Sequence, residues 1–492
     1  MDTLKMVPGV PVDASISDGN GVAENSKGTQ PKLEATVDSL LTFGAKFFTD
    51  TVGTPMGFIK VDEHFESWPL KSKKFRGCLR RLFRDNFLIK AARLKRLLQE
   101  LEYEAEMEEI EVYNRFAFRD NKVLIDLSDS TWQHVEVDSD GWNLRKHDRP
   151  LFIRQKHQKP LPVPVPGGDA LDLFKHISAK NDAEQLLILA WTLSAMHPTI
   201  ATPMLLLVGP PASRKSTTGQ RLRSMLDPSS ICELGEFDRR ALPQIAHHHA
   251  LPMFDNLSGL RRKEADFFCR LVTGGGIERR RLFSDSDAFI MSYRRACIFN
   301  GIDLPSTRPD FLDRCIVVRF NRVSEFAERP NLEEQFEAER AKIFGGLLDL
   351  LCRTLHIFPS TPATGDFRLA ELARFGRAVA AALGRDINEF DLAYHTAIKE
   401  HHYEIIEDSA VATSLLRFVA KTEMPWEGTA GELLRQLKNC ASETAAAVGA
   451  RSWPGSPRWV SSQLSELIPV MKEHGVSIKR MDRSSRKRPS VP

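Results

Sequence analysis

The sequence runs to 492 residues, 42% hydrophobic and 27% charged, the range of ordinary globular proteins. That length exceeds one hydrophobic core and predicts two to four domains. Sixty-eight basic against 65 acidic side chains leave a net charge of +3, so affinity for an anionic partner has to come from local clusters rather than the total.

The seven cysteines are scattered, with no C-x-x-C spacing. This argues against a disulfide framework or a zinc cluster and fits a reducing, cytoplasmic compartment. No basic segment followed by an apolar run opens the chain, so no signal peptide is expected. Leu186–Met196 is too short to span a bilayer and reads as a buried helix, so no membrane partner is expected.

Residues 1–32 are rich in Gly, Ser, Asn and Asp and are expected to be a disordered tail. Residues 33–158 form the expected N-terminal α+β accessory domain. Its first part, 33–100, reads as helical. Within it, Lys71–Arg96 carries Lys71, Lys73, Lys74, Arg76, Arg80, Arg81, Arg84, Lys90, Arg93, Lys95 and Arg96. Phe75, Leu79, Leu82 and Phe83 recur there at helical spacing, so one face is buried and the other positive. That positive face is either a solvated surface or a contact for phosphates. Val123–Leu127, His134–Val137 and Trp142–Leu144 read as short strands between turns.

Lys159–Gly168 is too proline-rich for a helix or a central strand, because each Pro lacks an N–H and fixes φ. It marks a linker. Asp182 is expected to cap an apolar helix through Met196. Residues 169–330 alternate apolar strands with helices and form the expected α/β core. A helical region, 331–407, follows, and then a C-terminal domain, 408–492, with a short final strand and a basic tail.

Met204–Val208 is a strand-length apolar run, followed by Gly209-Pro210-Pro211-Ala212-Ser213-Arg214-Lys215-Ser216-Thr217 and a helix carrying Leu222, Met225 and Leu226. Strand, loop and helix in this order are the context of a Walker A loop. Loop amides and the helix N-terminus point at phosphate oxygens. Lys215 supplies positive charge to the β- and γ-phosphates of ATP, and the Ser216 hydroxyl ligates Mg²⁺. Arg214 departs from the pattern, since the motif has Gly there.

A second apolar run, Ala250–Phe254, ends in Asp255-Asn256. Asp255 stands where the strand beside a phosphate loop carries the acid that holds Mg²⁺. Asn256 stands where such enzymes place a Glu that orients water, so Glu233, Glu236 and Asp238 remain alternative bases. A third run, Ala296–Phe299, ends at Asn300, a polar tip able to reach between that acid and the γ-phosphate. Arg308 and Arg314 precede the strand Cys315–Phe320. Ring ATPases place there an arginine that enters the neighbouring subunit's site. Arg314 is the expected finger; the alternative for both is an ion pair with Asp310 or Asp313.

Between Asp255 and Asn300 lies Thr273-Gly-Gly-Gly-Ile-Glu-Arg-Arg-Arg-Leu-Phe-Ser-Asp-Ser-Asp287. Phosphate loop, strand acid, glycine-then-basic segment, strand Asn and Arg before a strand together resemble the superfamily 3 helicases of the AAA+ class. The similarity is to phage- and virus-type primase-helicase ATPases, and to ATP-binding proteins of that type on bacterial mobile elements. It implies a hexameric ring, ATP-driven movement and a hairpin in the pore on single-stranded DNA. Carried onto Glu278–Asp287, that hairpin makes Arg279, Arg280 and Arg281 the DNA contacts. From the residues alone, three arginines beside Phe283 suit a strand's backbone better than a core.

Thr429 and Glu432 match a capping box. A further helix is expected from Ser456 to His474, ended by Gly475. With Val476–Arg480 and Arg486–Arg488 as a wing, this resembles the winged-helix domain that ends many such helicases. A small packing domain is the alternative. His247-His248-His249 cannot all face one ion from a helix and reads as a polar helix end. The rival functions are an ATP-binding loader or origin-binding switch without turnover, and a small-molecule kinase.

Overall fold

The computed structural model of the protein describes residues 33–481, apart from 35, 89–90, 236–237, 257–258, 281–287, 323–328, 364, 366, 424 and 442–452. The tail 1–32 and the basic segment Arg486–Arg488 lie outside the described residues.

The chain begins with β1 (Leu33–Glu34), α1 (Val37–Thr42), β2 (Lys46–Asp50), β3 (Pro55–Val61) and β4 (His64–Pro69). Then come α2 (Lys73–Asn86), β5 (Phe87–Leu88), α3 (Ala91–Ala105) and β6 (Glu109–Ile110). A sheet of order β4-β3-β2-β6 occupies part of the stretch expected to be helical. Its apolar residues alternate between two faces. Phe47 and Ile59 join Phe75, Leu79, Phe83, Leu97 and Leu101 of the two helices, whereas Phe48, Met56 and Phe58 form a second cluster behind. With both faces apolar, the strands lack the polar alternation that marks a half-exposed sheet.

A second sheet is an antiparallel meander of order β10-β9-β8-β7, with β7 (Phe116–Arg119), β8 (Lys122–Asp126), β9 (Gln133–Val137) and β10 (Trp142–Lys146). Three of its strands fall where the sequence places them. Val123, Ile125, Val135 and Val137 are buried in the same cluster as the central strands of the chain. The Pro-rich segment after it has no helix or strand. It is pinned at Leu161, whose N–H donates to the Leu127 carbonyl at 2.8 Å, and at Val165, which donates to the Ala341 carbonyl at 3.0 Å.

The central part comprises α4 (Asp182–Met196), β11 (Met204–Val208), α5 (Lys215–Leu226), α6 (Leu242–His248), β12 (Met253–Asp255), α7 (Arg262–Thr273), β13 (Gly275–Arg280), β14 (Ala288–Tyr293), β15 (Ile298–Gly301), α8 (Pro309–Leu312) and β16 (Cys315–Arg319). Helix α4 is capped by Asn181 rather than Asp182: the Asn181 side chain accepts from the Glu184 N–H at 2.9 Å. Strands β12, β15, β11 and β16 form a wholly parallel sheet in that order. The expected adjacency of the acid strand and the loop strand is therefore corrected: β15 lies between them. Parallel pairing needs crossover helices, and it brings all the C-terminal strand ends to one edge.

Helix α9 (Arg329–Ile357) packs against β9 and β10 of the meander, α10 (Ala370–Ala382) and α11 (Ile387–Asp408) pack on α4, with α11 also on β16, and α12 (Ala410–Lys421), α13 (Ala430–Cys440) and α14 (Pro457–Glu473) follow. The capping box holds: Thr429 accepts from the Glu432 N–H at 3.2 Å, and Glu432 accepts from the Thr429 N–H at 2.5 Å. Gly475 ends α14 at φ +77°. The expected final strand does not form: residues 476–481 are unpaired, so the described C-terminal part is helical, without a wing. Val476 and Ile478 pack instead against the main cluster, which uses their apolar side chains without a partner strand.

A buried ion pair ties the meander to the parallel sheet. Arg115 and Asp227 are both wholly buried, with Nε to Oδ1 at 3.1 Å. Arg115 also donates to the Asp126 and Lys159 carbonyls and the Ser128 hydroxyl, each at 3.0 Å. Asp227 caps the C-terminus of α5 and accepts from the Ala250 and Leu251 N–H groups, both at 3.1 Å. Removing one partner strands the other charge in the interior. Arg115→Met is expected to lower stability in urea unfolding by about 3–5 kcal/mol; a loss below about 1 kcal/mol would mean that the pair does not carry this junction.

Candidate nucleotide site

The loop after β11 is built by close approach and left-handed backbone. A Cβ at Gly209 would stand 2.5 Å from the Phe320 carbonyl, so only glycine fits there. Ala212 and Arg214 take φ of +63° and +64°. Arg214 therefore holds the left-handed conformation for which glycine is the usual residue, at a cost of about 1 kcal/mol. It stands at the N-cap of α5 without a side-chain cap, so the first-turn N–H groups have no internal acceptor from it. Lys215 Nζ donates back to the Pro210 carbonyl at 3.2 Å. The Ser213 hydroxyl is buried without a hydrogen-bond partner among the described residues. Pro210, Pro211 and Arg214 are exposed, with Ser216 and Thr217 half-buried beside them.

The strand register brings the other candidates to this loop. Asn300 lies level with Leu207 on one side and Asp255 on the other. Its Nδ2 donates to the Ser216 hydroxyl at 2.7 Å and also to Asp255 Oδ1. Ser216, Asn300 and Asp255 thus form one hydrogen-bonded line across three neighbouring elements. Asn300 Oδ1 is buried without a partner among the described residues. Asn256 is exposed and left-handed, at φ +51°, and its N–H donates to the Asn300 carbonyl at 2.8 Å. Asn tolerates that backbone conformation.

Of the three alternative bases, the structure brings one to the line. Leu234 bridges Phe254 in parallel, so the chain before it runs beside β12. Glu233 accepts from Gln220 Nε2 at 3.0 Å. Its burial, and then the Asp255 carboxylate beside it, raise its pKa above the usual carboxylate range. Glu236 lies outside the described residues. Asp238 caps a turn by accepting from the Arg240 N–H at 3.0 Å. Nothing in the local sequence around Glu233 marks it; the bridge to β12 does.

The arginines lie elsewhere. Arg314 precedes β16 and its carbonyl accepts from the Met204 N–H, at the opposite end of the sheet from the loop. Its side chain is mostly buried and donates to the Asp310 carbonyl and carboxylate at 2.6 and 2.7 Å. Arg308 pairs with Asp266 at 2.6 Å, rather than with Asp310 or Asp313. Strands β13 and β14 pair as an antiparallel ribbon, with Arg279 opposite Phe289 and Arg280 opposite Ala288. The side chains of Arg279 and Arg280, and all of Arg281, lie outside the described residues.

Residues 171–400 match the actinomycete integrative conjugative element replication protein family, and residues 411–490 match the C-terminal domain of its RepA proteins. Residues 171–400 and 411–490 are thus similar to that replication-protein family. The loop, Glu233, Asp255, Asn300 and both arginines all fall inside the first match. No curated protein matches. Among solved structures, the apo A form of the NrS-1 C-terminal region aligns at 10% identity over 88% of each chain, with a TM-score of 0.37. A JCV helicase structure aligns at 12% identity over 41% of this chain and 65% of that one, with a TM-score of 0.20. No helix among the described residues is long and apolar enough to cross a membrane.

The histidines at the end of α6 make packing and hydrogen-bond contacts within the chain. His249 stacks on His157, ring centroids 3.9 Å apart, and its Nδ1 lies 3.2 Å from Arg223. Among the described residues no group of three or more His, Cys, Asp or Glu side chains could hold a metal ion. Burial, reinforced by His157 and Arg223, lowers the His249 pKa to about 3, and burial with His248 lowers that of His247 to about 4. The folded state keeps these rings neutral, whereas the unfolded chain protonates them near pH 6.5. Their full contribution is therefore present above about pH 6.5 and is lost as pH falls below it. The Tm is expected to drop between about pH 7 and 5, with a shallower slope in His249→Gln; an unchanged slope would remove His249 from the cause.

Arg214→Gly is expected to relieve the left-handed residue and raise stability by about 1 kcal/mol. Thermal unfolding checks this: a fall in Tm would mean that the Arg214 side chain contributes more than its backbone costs.

Proposed function

We propose that this chain is a DNA-translocating ATPase of a mobile element's replication machinery, with an AAA+ core of the superfamily 3 type working between subunits of a hexameric ring. The hydrogen-bonded line Ser216–Asn300–Asp255, beside an uncapped helix N-terminus, carries this reading. The residues fit Mg²⁺ and ATP. Ser216 and Asp255 supply hard oxygen donors. The α5 amides and Lys215 meet the phosphates, and the orphaned Ser213 hydroxyl faces no internal partner that ATP would have to displace. Mg²⁺ supplies charge neutralisation at the phosphates when bound.

The chain's own groups then divide the work. Lys215 releases Pro210 and turns to the phosphates. Asn300 holds Ser216 and Asp255 in register and orients the terminal phosphate. Glu233, brought beside Asp255 by the Leu234 bridge, orients and deprotonates the attacking water in the place that Asn256 leaves unfilled. Arg314 serves the neighbouring subunit's site, because its own loop is a full strand length away. The Arg279–Arg281 hairpin contacts single-stranded DNA in the pore. A switch without turnover is the second reading, favoured by Arg214 and Asn256 at two positions where active enzymes have Gly and Glu.

Steady-state ATP hydrolysis with and without single-stranded DNA decides between the two. The wild type is expected to turn over, faster with DNA, and Lys215→Ala to lose turnover. Glu233→Gln is expected to keep nucleotide affinity while turnover falls by about 10²–10⁴-fold. ATP binding without hydrolysis under every condition would sink the motor reading and support the switch.

A further inference from the structure

The N-terminal 170 residues lie outside both family matches. Helix α2 is their most sharply polarised element. Residues 71–96 hold eleven basic side chains against the single acid Asp85, whereas 100–111 hold seven acids and no base. Phe75, Cys78 and Leu79 are buried against the sheet, which fixes the helix and leaves Lys73, Lys74, Arg76, Arg80 and Arg81 exposed. Some of this charge is met within the chain. Lys71 pairs with Glu102 at 3.3 Å, Arg81 with Asp62 at 3.5 Å, and Lys74 lies 5.7 Å above the Trp68 ring.

Lys73, Arg76 and Arg80 remain as a stripe at i, i+3 and i+7, spanning about 10 Å along the axis. Gly77 lies in the same stretch, exposed and in mid-helix, and a Cβ there would meet nothing within 4 Å. Glycine weakens a helix interior, and no packing within the chain requires it here. A partner approaching close to the helix backbone would. No aromatic residue stands among the exposed positions of the stripe, so it lacks the stacking platforms that single-strand binders use.

We infer that the α2 face of the accessory domain is a second nucleic-acid site, one that grips the phosphate backbone of double-stranded DNA without reading its sequence. Phosphate contacts by Lys and Arg position a protein on a duplex and carry no sequence information. The buried Phe75, Cys78 and Leu79 hold the helix against the sheet, and Lys73, Arg76 and Arg80 stand on its exposed side. A duplex held here would be separate from any strand in the ring, and this site does not depend on ATP.

The test uses the full chain, without nucleotide, and a random-sequence duplex of about 30 base pairs, with affinity read by fluorescence anisotropy across a salt series. Each phosphate contact contributes about 0.9 to the slope of log affinity against log salt. Lys73→Ala/Arg76→Ala/Arg80→Ala is expected to reduce that slope by about 3 and to weaken binding more than about tenfold at low salt. The single variant Arg76→Ala, expected to reduce the slope by about 1, serves if the triple variant does not fold. Gly77→Ala is expected to raise the Tm while weakening duplex binding. Basal ATP turnover should be unchanged in all three. Lys215→Ala should keep the wild-type duplex slope, so a failed ATPase reading leaves this result standing. Wild-type duplex affinity and slope in the triple variant overturn the inference. So does loss of binding to anionic phosphatidylserine vesicles with duplex binding intact, which would assign the stripe to a membrane surface.

Discussion

The Arg115–Asp227 pair is the constraint on which the rest of the molecule is hung. Two unit charges are wholly buried between the antiparallel meander and the C-terminus of α5. Such a burial is tolerable only when the remaining donors and acceptors are met. Here three of the guanidinium's other contacts go to Asp126, Ser128 and Lys159, and the second carboxylate oxygen takes two backbone N–H groups. The pair fixes the far end of the helix whose near end forms the candidate phosphate loop. It also explains why the meander shares a hydrophobic cluster with the parallel sheet, while the α2–α3 unit keeps a cluster of its own.

From that fixed helix, the site follows by register. Parallel pairing sets Asp255 level with Asn300, and Asn300 level with Leu207. One side chain of amide length then spans from the acid to the first turn of α5. An amide suits this place because it donates to a hydroxyl and a carboxylate at once and adds no charge between them. Beyond β12, the Leu234 bridge brings Glu233 beside Asp255, and burial, then the Asp255 charge, push Glu233 toward its protonated form. Where the loop departs from the usual glycine, the backbone keeps its left-handed turn and the side chain carries the strain. Arg308 and Arg314 are each held by an acid of their own chain, Asp266 and Asp310, and Arg314 stands at the end of the sheet opposite the loop.

The sequence by itself determined the loop strand, the strand ending in Asn300, the loop between Gly209 and Thr217, the helix carrying Leu222 and Met225, and the C-terminal capping box. Each of these is written in contiguous residues through local sterics: strand-length apolar runs, a glycine at a close approach, a Ser/Thr–Glu spacing. The amphipathic face of α2 was legible for the same reason. The tertiary structure decided what depends on residues far apart in the chain. The N-terminal strands are apolar on both faces, so no period of two between polar and apolar residues revealed them. Strand order placed β15 between β11 and β12, because register and crossover belong to the sheet and not to any one strand. Glu233 became part of the site only through a bridge to β12, and Arg308 was drawn to Asp266, 42 residues away in the chain. Val476 and Ile478 packed into a core where a wing strand was expected, since apolar burial needs no partner strand when a cluster is already at hand.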